Sequence, residues 1–344
     1  MKKFFLILLM LLIPNFVLAK EPVNIVFAID NNFVIPTMVA VDSIFENSKP
    51  DTKYNFYVLE TGLTKRSKGL MTNYIEKKHN HNVSFISIDN GDIAEWEKLH
   101  VSVPIIIARI AIPDLLPKEV ERVIYMDGDI LVTGDLSELY NLDLGSKSTG
   151  MVKDYSELAL IEDFANFGFK FDHGYYNAGI ILMDLNKWRA RGHAREIFET
   201  MYANPKKYKE VMFADQNVIS EVLGPHIKRI DPRWNNQCWN MHCVAEDMKT
   251  GGVYHYIVDK PWVRLTNLEK SFSNILYVNH WQTSEFKNYI YYYLLKIVEK
   301  TYQTRISYEY NQAKYLRYFQ VLKNNKHFPK FLLSEFDYIV KGKQ

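Results

Sequence analysis

Short apolar runs alternate with amphipathic stretches along the first third of the chain. The apolar runs predict four β-strands, at 24–29, 54–60, 83–89 and 122–127. Between them, Met38, Val41 and Phe45 recur at helical spacing, and 64–78 has the pattern of a polar, amphipathic helix. Strands that alternate with helices predict a parallel sheet with helices on both faces.

Three of the predicted strands end in an aspartate: Asp30, Asp89 and Asp127. In open α/β sheets, ligands bind at the carboxyl ends of the strands. These aspartates therefore predict a binding site at that edge of the sheet.

The second half of the chain has a different pattern. The segment DHGYYNAGIILMDLNKW (172–188) predicts a turn followed by an apolar strand, GIILMDL. Helical stretches and FADQNVIS (213–220) follow, and 231–262 is predicted to be aromatic and rich in loops.

The N-terminus has the pattern of a secretory signal peptide over residues 1–19. Lys2 and Lys3 precede an apolar run at 4–13, and Val17-Leu18-Ala19 fits a small-residue cleavage site. The 16 residues from Phe4 to Ala19 are fewer than the ~20 that a spanning helix needs. We expect an extracytoplasmic or secretory-pathway protein, with an uncleaved, membrane-associated anchor as the alternative.

Composition and charge narrow the class of protein. Hydrophobic residues make up 47% and charged residues 24%, which is typical of a folded chain, and the net charge of +2 gives no basis for nucleic-acid binding. The tail at 286–344 has 11 basic against 4 acidic residues and ten of the 23 tyrosines. This tail is predicted either to contact an anionic membrane surface or to form a helical cap on the core.

The two cysteines, Cys238 and Cys243, are close in sequence. In an exported protein they favour a loop disulfide or two free thiols. Zinc binding together with His242 is disfavoured, since no second ligand pair follows at the usual spacing.

The segment VIYMDGDILV (123–132) holds two carboxylates, Asp127 and Asp129, on one side of an extended chain. They could flank a hairpin turn at Asp-Gly, or bind a divalent cation between them. An aspartyl-phosphate nucleophile is a third interpretation, which Ile130 and Leu131 disfavour. No G-x-G-x-x-G, P-loop or G-x-S-x-G motif is present, which argues against dinucleotide, ATP-cradle and hydrolase chemistry.

Six segments in this order resemble glycosyltransferase family 8, the retaining nucleotide-sugar enzymes related to bacterial lipopolysaccharide galactosyl- and glucosyltransferases and to glycogenin. The segments are NIVFAIDNN (24–32), Ala108-Arg109, VIYMDGDILV (123–132), YYNAGIILMDLNKW (175–188), ADQNVI (214–219) and VYHYIVDKPW (253–262). The resemblance implies an α/β GT-A fold over 23–285, with a Rossmann-like, mainly parallel sheet. The basic, tyrosine-rich tail at 286–344 is expected to be a helical extension.

The resemblance also implies a metal and a donor substrate. Asp127, Asp129 and His255 would bind Mn²⁺ or Mg²⁺, with His280 as a weaker rival to His255. For a UDP-sugar donor, Asp30 would hold the uracil, Asn32 the ribose side and Lys260 the diphosphate. Without the family, each of these three residues would be an ordinary turn or surface residue.

The remaining roles concern the sugar. Asn177 and Asp215 would hold its hydroxyls, Arg109 would contact the sugar or its carboxylate partners, and Gln216 would lie by the anomeric carbon. Asp154 would contact the sugar or the acceptor. The alternatives are a surface arginine, a turn at Asn177 and a helix N-terminus at Asp215 and Gln216.

Two positions depart from the family pattern. Gly128 stands where a larger apolar residue is usual, and the segment after His255 is one residue shorter than the usual motif and lacks its glycine. We expect a metal-dependent hexosyltransferase, with glucose or galactose as the sugar and a hydroxyl of a glycan, glycolipid or protein as acceptor. A catalytically silent sugar- or nucleotide-binding protein is the alternative.

Overall fold

The structure is a computed structural model that describes residues 21–88, 104–154, 164–209, 213–239, 242–243, 251–257, 260–262, 277, 280–281 and 283–286. Its strands are β1 (Val23–Ile29), β2 (Tyr54–Glu60), β3 (Asn82–Ser87), β4 (Arg122–Met126), β5 (Ile130–Val132), β6 (Thr149–Met151), β7 (Ile180–Asp184), β8 (Ile227–Arg229), β9 (Asn236–Trp239), β10 (His242–Cys243) and β11 (Val253–Tyr256).

Helices separate several strands in the first half of the chain, and four helices follow β7 in succession. The α-helices are α1 (Val34–Glu46), α2 (Lys65–Thr72), α3 (Ala108–Leu115), α4 (Leu136–Tyr140), α5 (Leu185–Arg191), α6 (His193–Ala203), α7 (Pro205–Lys209) and α8 (Ala214–Leu223). The predicted helix at 64–78 is two segments, α2 and a π-helical turn at Asn73–Lys78.

Seven strands form the main sheet, in the order β3-β2-β1-β4-β7-β6-β8. Strands β1 to β4 are parallel to one another, and β7 runs antiparallel to both neighbours, β4 and β6. The predicted α/β class with a mainly parallel, Rossmann-like sheet is confirmed. The antiparallel β7 was not predicted, since a short apolar run carries no signal of its direction.

The core lies along the centre of this sheet. Ile25 and Phe27 of β1 and Ile124 of β4 are fully buried. A strand covered on both faces needs a continuous apolar sequence, which is why VIYM in β4 shows no polar alternation.

A second sheet begins directly after Asp127-Gly128-Asp129. Its order is β10-β9-β11-β5, so β4 and β5 belong to different sheets. The hairpin interpretation of this segment is therefore wrong. The region predicted to be rich in loops, 231–262, supplies the other three strands of this sheet.

The cysteines lie on the same sheet. Cys238 is disulfide-bonded, and Cys243, the chain's other cysteine, is its register partner in the antiparallel β9–β10 pair. The loop disulfide is thus the correct alternative, and the free-thiol and zinc interpretations are wrong.

No helix within the described ranges is long and apolar enough to cross a membrane. The signal segment at 1–19, Asp89 and the tail beyond Phe286 lie outside these ranges. The domain boundaries, the signal peptide and the nature of the tail stay predictions.

Candidate active site

A pocket of about 380 Å³ opens at the carboxyl ends of β1 and β4. Because the two strands are parallel neighbours, the residues that follow them meet at one edge of the sheet. Ten of the eleven predicted site residues line this pocket: Asp30, Arg109, Asp127, Asp129, Asp154, Asn177, Asp215, Gln216, His255 and Lys260. The eleventh, Asn32, is exposed, and its side-chain amide donates to Asp30 over 3.0 Å.

Asp127, Asp129 and His255 form a cluster whose ligand atoms lie within 4.8 Å of one another. The His255 Nε2 is 3.4 Å from the Asp129 Oδ1 and 3.7 Å from the Asp127 Oδ2. The second sheet causes this approach, since β11 pairs with β5 and sets His255 opposite Ile130. The backbone N–H of Tyr256 also donates to the carbonyl of Asp129 over 2.9 Å.

These residues fit a hard divalent cation. The Asp129 Oδ1 is buried and has no hydrogen-bond partner. The His255 Nδ1 lies 2.9 Å from the Asn235 Oδ1, an acceptor, so this nitrogen carries the proton and the Nε2 lone pair faces the carboxylates. Two carboxylates and one imidazole are a suitable ligand set for Mn²⁺ or Mg²⁺.

Lys260 lies against this cluster. Its Nζ donates to the Asp129 Oδ2 and to the carbonyls of Tyr256, over 2.5 Å, and Ile257, over 3.2 Å. Burial would raise the pKa of Asp129, but the positive charge of Lys260 holds it well below its usual range. The Asp129 carboxylate is therefore ionised and ready to bind a cation.

Arg109 is a buried counter-ion, only 6% exposed, at the start of α3. Its guanidinium lies 3.0 Å from Asp127 and 3.3 Å from Asp215, and it donates to the Ala178 carbonyl over 2.7 Å. Burial raises the pKa of Asp215, while Arg109 opposes that rise. The surface-arginine interpretation is wrong: Arg109 neutralises two of the pocket's carboxylates.

A network of amides surrounds Asp154. The side-chain amides of Asn177 and Gln216 both donate to the Asp154 Oδ2, over 3.0 and 2.8 Å. The Gln216 Oε1 accepts from the Ala178 N–H over 3.0 Å, so both ends of the Gln216 amide are held. The network places a neutral amide and a carboxylate side by side in the pocket, which suits recognition of sugar hydroxyls.

Comparison with known proteins identifies the chain. The model of Glycosyl transferase family 8 matches residues 24–266. The chain belongs to glycosyltransferase family 8. It is therefore a member of a glycosyltransferase family, and the predicted family is confirmed.

Two relatives and one solved structure show how similar this family 8 chain is to known proteins. A lipopolysaccharide 1,2-glucosyltransferase of Escherichia coli is 21% identical over 281 residues, which are 78% of this chain and 82% of that protein. A putative glycosyltransferase of Haemophilus influenzae is 27% identical over 63% of this chain, and the match spans 64% of that protein, just under two thirds. The crystal structure of galactosyltransferase LgtC with donor and acceptor sugar analogues shares the fold, with a TM-score of 0.63 and 23% identity over 77% of this chain and 98% of LgtC. Since LgtC has the GT-A fold, the predicted GT-A fold is confirmed.

Two residues that hold site side chains of this family 8 chain in place were missed by sequence reasoning. Asn235 fixes the His255 ring, and the Tyr125 hydroxyl donates to Asp127 over 2.5 Å. Tyr125 looks like any apolar strand residue, and Asn235 stands in a segment that was predicted to be a loop, so neither carries a sequence signal.

His280 is not the rival metal ligand that the sequence suggested. It lies beside Asp42 and Glu46 of α1, and none of these three residues lines the pocket of this family 8 chain. The sequence shows that His280 follows the family motifs, but it does not show whether this histidine lies in the pocket or beside Asp42 and Glu46 of α1.

Proposed function

We propose that this chain is a metal-dependent, retaining glycosyltransferase that moves a hexose, glucose or galactose, from a UDP-sugar to a hydroxyl of a glycan, glycolipid or protein acceptor. The observation that carries this proposal is the convergence of Asp127, Asp129 and His255 in one pocket with Asp30. The family membership and the names of the relatives, a glucosyltransferase and a galactosyltransferase, support the hexose.

The nucleotide end of the pocket is at β1. Asp30 and Asn32 follow this strand and offer a carboxylate and an amide for the uracil and the ribose. When bound between Asp127, Asp129 and His255, Mn²⁺ or Mg²⁺ supplies Lewis-acid stabilisation of the charge that develops on the departing diphosphate. Lys260, which here donates to Asp129, would add a positive charge for the diphosphate at the same place.

The sugar end of the pocket lies at Asp154, Asn177 and Gln216. A neutral amide is a poor nucleophile, and both ends of the Gln216 amide are held. We therefore assign Gln216 to positioning beside the anomeric carbon, with the acceptor hydroxyl attacking from the face that the diphosphate leaves. The departing phosphate then accepts the acceptor proton, while Asp154 orients hydroxyl groups.

A donor screen tests the proposal. UDP release from UDP-glucose, UDP-galactose and other UDP-sugars is measured with Mn²⁺, for the wild type and for Asp129→Asn. We expect release with glucose or galactose donors, and a loss of at least about 100-fold in Asp129→Asn, since removing one electrostatic stabiliser costs 10²–10³ in rate. Asp51→Asn is the matched control and keeps full activity, since Asp51 lies at an exposed turn before the amino end of β2, whereas the pocket lies at the carboxyl ends of the strands.

Two different results would contradict two different parts of the proposal. Wild-type turnover by Asp129→Asn with Mn²⁺ present would falsify the metal assignment. Calorimetric binding of UDP and Mn²⁺ without hydrolysis or transfer across the donor panel would favour the silent sugar- or nucleotide-binding protein.

We also propose that the N-terminal segment directs the chain out of the cytoplasm and that the basic tail contacts anionic membrane. N-terminal sequencing of the exported protein tests cleavage after Ala19. Sedimentation with phosphatidylserine vesicles, compared with neutral vesicles, tests the tail. An intact N-terminus recovered in the cytosol, or equal binding to both vesicles, contradicts the respective proposal.

A further inference from the structure

A second cluster of ligand-type side chains lies on α1, outside the active-site pocket. Asp42 and Glu46 are four residues apart on this helix and so share one face. His280 approaches that face from the far end of the described chain. The ligand atoms of the three residues lie within 4.8 Å of one another.

The histidine ring lies between the two carboxylates. Its Nδ1 is 3.1 Å from the Glu46 Oε2, and its Nε2 is 3.1 Å from the Asp42 Oδ2. The side chains of His280 and Asp42 are both nine-tenths buried, with 10% exposed, whereas Glu46 is 55% exposed.

Two buried atoms of this cluster make no hydrogen bond of good geometry. They are the Asp42 Oδ2 and the His280 Nε2, which face each other 3.1 Å apart. The other Asp42 oxygen accepts from the Tyr74 hydroxyl, which fixes the carboxylate and leaves Oδ2 directed at the ring. A cation bound between the two atoms would use both of them as ligands and would neutralise the buried Asp42 carboxylate.

We propose that Asp42, Glu46 and His280 form a second divalent-cation site, separate from the active site, and that it binds a first-row transition metal such as Zn²⁺. The Asp42 Oδ2 and the His280 Nε2 are the direct ligands, with water completing the shell. Ligand bonds of about 2.0–2.2 Å to one ion place an oxygen and a nitrogen roughly 3 Å apart or more, as found here. Glu46 accepts from the Nδ1–H, which is the carboxylate–histidine–metal arrangement that sets the ring tautomer.

The ion would join α1 to the segment around His280. That segment is ordered by its own bonds, since the Ser284 N–H donates to the His280 carbonyl over 2.9 Å and the Trp281 indole donates to the Phe286 carbonyl over 2.8 Å. Phe286 packs edge-on against Tyr74, at 4.8 Å between ring centres. A metal that binds only the folded chain stabilises it by mass action, so this site is expected to raise the melting temperature.

The test uses the full, tag-free chain carrying Asp127→Asn and Asp129→Asn, which removes the carboxylates of the active site. Isothermal titration with Zn²⁺ is expected to show one remaining equivalent, and Zn²⁺ is expected to raise Tm. Adding His280→Gln is expected to weaken Zn²⁺ binding at least tenfold and to abolish the Tm rise. Adding Glu46→Gln, at an exposed helical position that tolerates substitution, weakens binding to a smaller extent. His173→Gln, at an exposed histidine outside both clusters, leaves the titration unchanged.

Two results overturn the proposal. One is the absence of Zn²⁺ binding in the chain with both active-site substitutions. The other is binding that neither His280→Gln nor Glu46→Gln alters. In either case His280 only forms ion pairs with the two carboxylates. His280→Gln then lowers Tm equally in EDTA and in Zn²⁺.

Discussion

His255 owes its place in the active site to the absence of a side chain on another residue. A Cβ built on Gly179 would lie 2.0 Å from the His255 Cε1 and under 3 Å from both ring nitrogens. Gly179 also donates its N–H to the Asn177 Oδ1 over 3.0 Å, and its carbonyl accepts from the Asp127 N–H over 2.8 Å. This glycine therefore lies between Asn177 and the Asp127–Asp129–His255 cluster, and contacts both.

Gly179→Ala is expected to displace the His255 imidazole, because the backbone on which the new methyl group stands is fixed by β7. We expect Mn²⁺ affinity to fall by about 10- to 100-fold, as for loss of a group that orients a metal ligand. Isothermal titration of Mn²⁺ in the presence of UDP measures the change.

Gly69→Ala is the matched control for this substitution. Gly69 lies in α2, and nothing approaches its added Cβ within 4 Å, so binding should be unchanged and the helix slightly stabilised. Unaltered Mn²⁺ affinity in Gly179→Ala would show that His255 is not held by this contact.

At the scale of elements, the cluster of Asp127, Asp129 and His255 exists because two sheets diverge at a single turn. Strand β4 ends at Met126 in the main sheet, and β5 begins at Ile130 in the smaller one. Helix α1 holds β5 in place, with the Ser43 hydroxyl accepting from the Val132 N–H over 3.0 Å. Gly128 stands where the family pattern has a larger apolar residue, and the packing against α1 explains this difference. A Cβ added to Gly128 would lie 2.5 Å from the Thr37 Oγ1.

Gly128→Ala is therefore expected to push the turn away from α1 and to weaken UDP binding in Mn²⁺ by at least about tenfold, as a misplaced ligand does. Thr37→Ala removes the obstructing hydroxyl, which is buried without a hydrogen-bond partner. The double variant Gly128→Ala with Thr37→Ala should recover most of the affinity, and Thr37→Ala alone should bind as the wild type does. Calorimetric titration of UDP into the three variants measures the coupling free energy between positions 37 and 128. Additive effects in the double variant would contradict a direct contact.

At the scale of the whole molecule, stability should depend on pH through buried histidines. His193, at the start of α6, is 1% exposed, and its Nε2 lies 3.1 Å from the Ser148 hydroxyl. Burial, with the nearby His226 and Arg191, lowers the pKa of His193 to about 4. The folded chain thus keeps this ring neutral down to pH 4, whereas the unfolded chain protonates it near 6.5.

The sign follows from proton linkage. The stabilising contribution is complete above pH 6.5 and is lost as the pH falls from 6.5 towards 4, at up to about 1.4 kcal/mol per pH unit for one group. His193→Gln should make the free energy of unfolding less steep in this window, as measured by urea denaturation at several pH values. Some slope should remain, because burial also lowers the pKa of His81 to about 4. His173→Gln is the control. An unchanged slope in His193→Gln would exclude this origin of acid sensitivity.

Sequence patterns predicted the parallel strands β1 to β4 almost to the residue, since β2 was expected at 54–60 and is found there. They failed at 231–262, where three strands lie in a region predicted to be loops. Short strands that pair with partners far along the chain, such as β11 with β5, lack a local periodicity strong enough to detect. The same reason explains why Asn235 was missed although His255, which it orients, was found.

The sequence alone determined the class of fold, the family and which polar side chains follow the strands, because apolar periodicity and motif order are local properties of the chain. Only the tertiary structure decided which of these side chains meet. In the folded chain, Arg109 is a buried counter-ion and Lys260 donates to Asp129. His255 lies in the pocket, whereas His280 lies beside Asp42 and Glu46 of α1. The distances between these groups depend on strand pairs that are far apart in sequence and on the space left by the missing side chains of Gly128 and Gly179. Neither the pairing nor this space can be predicted from a local stretch of sequence.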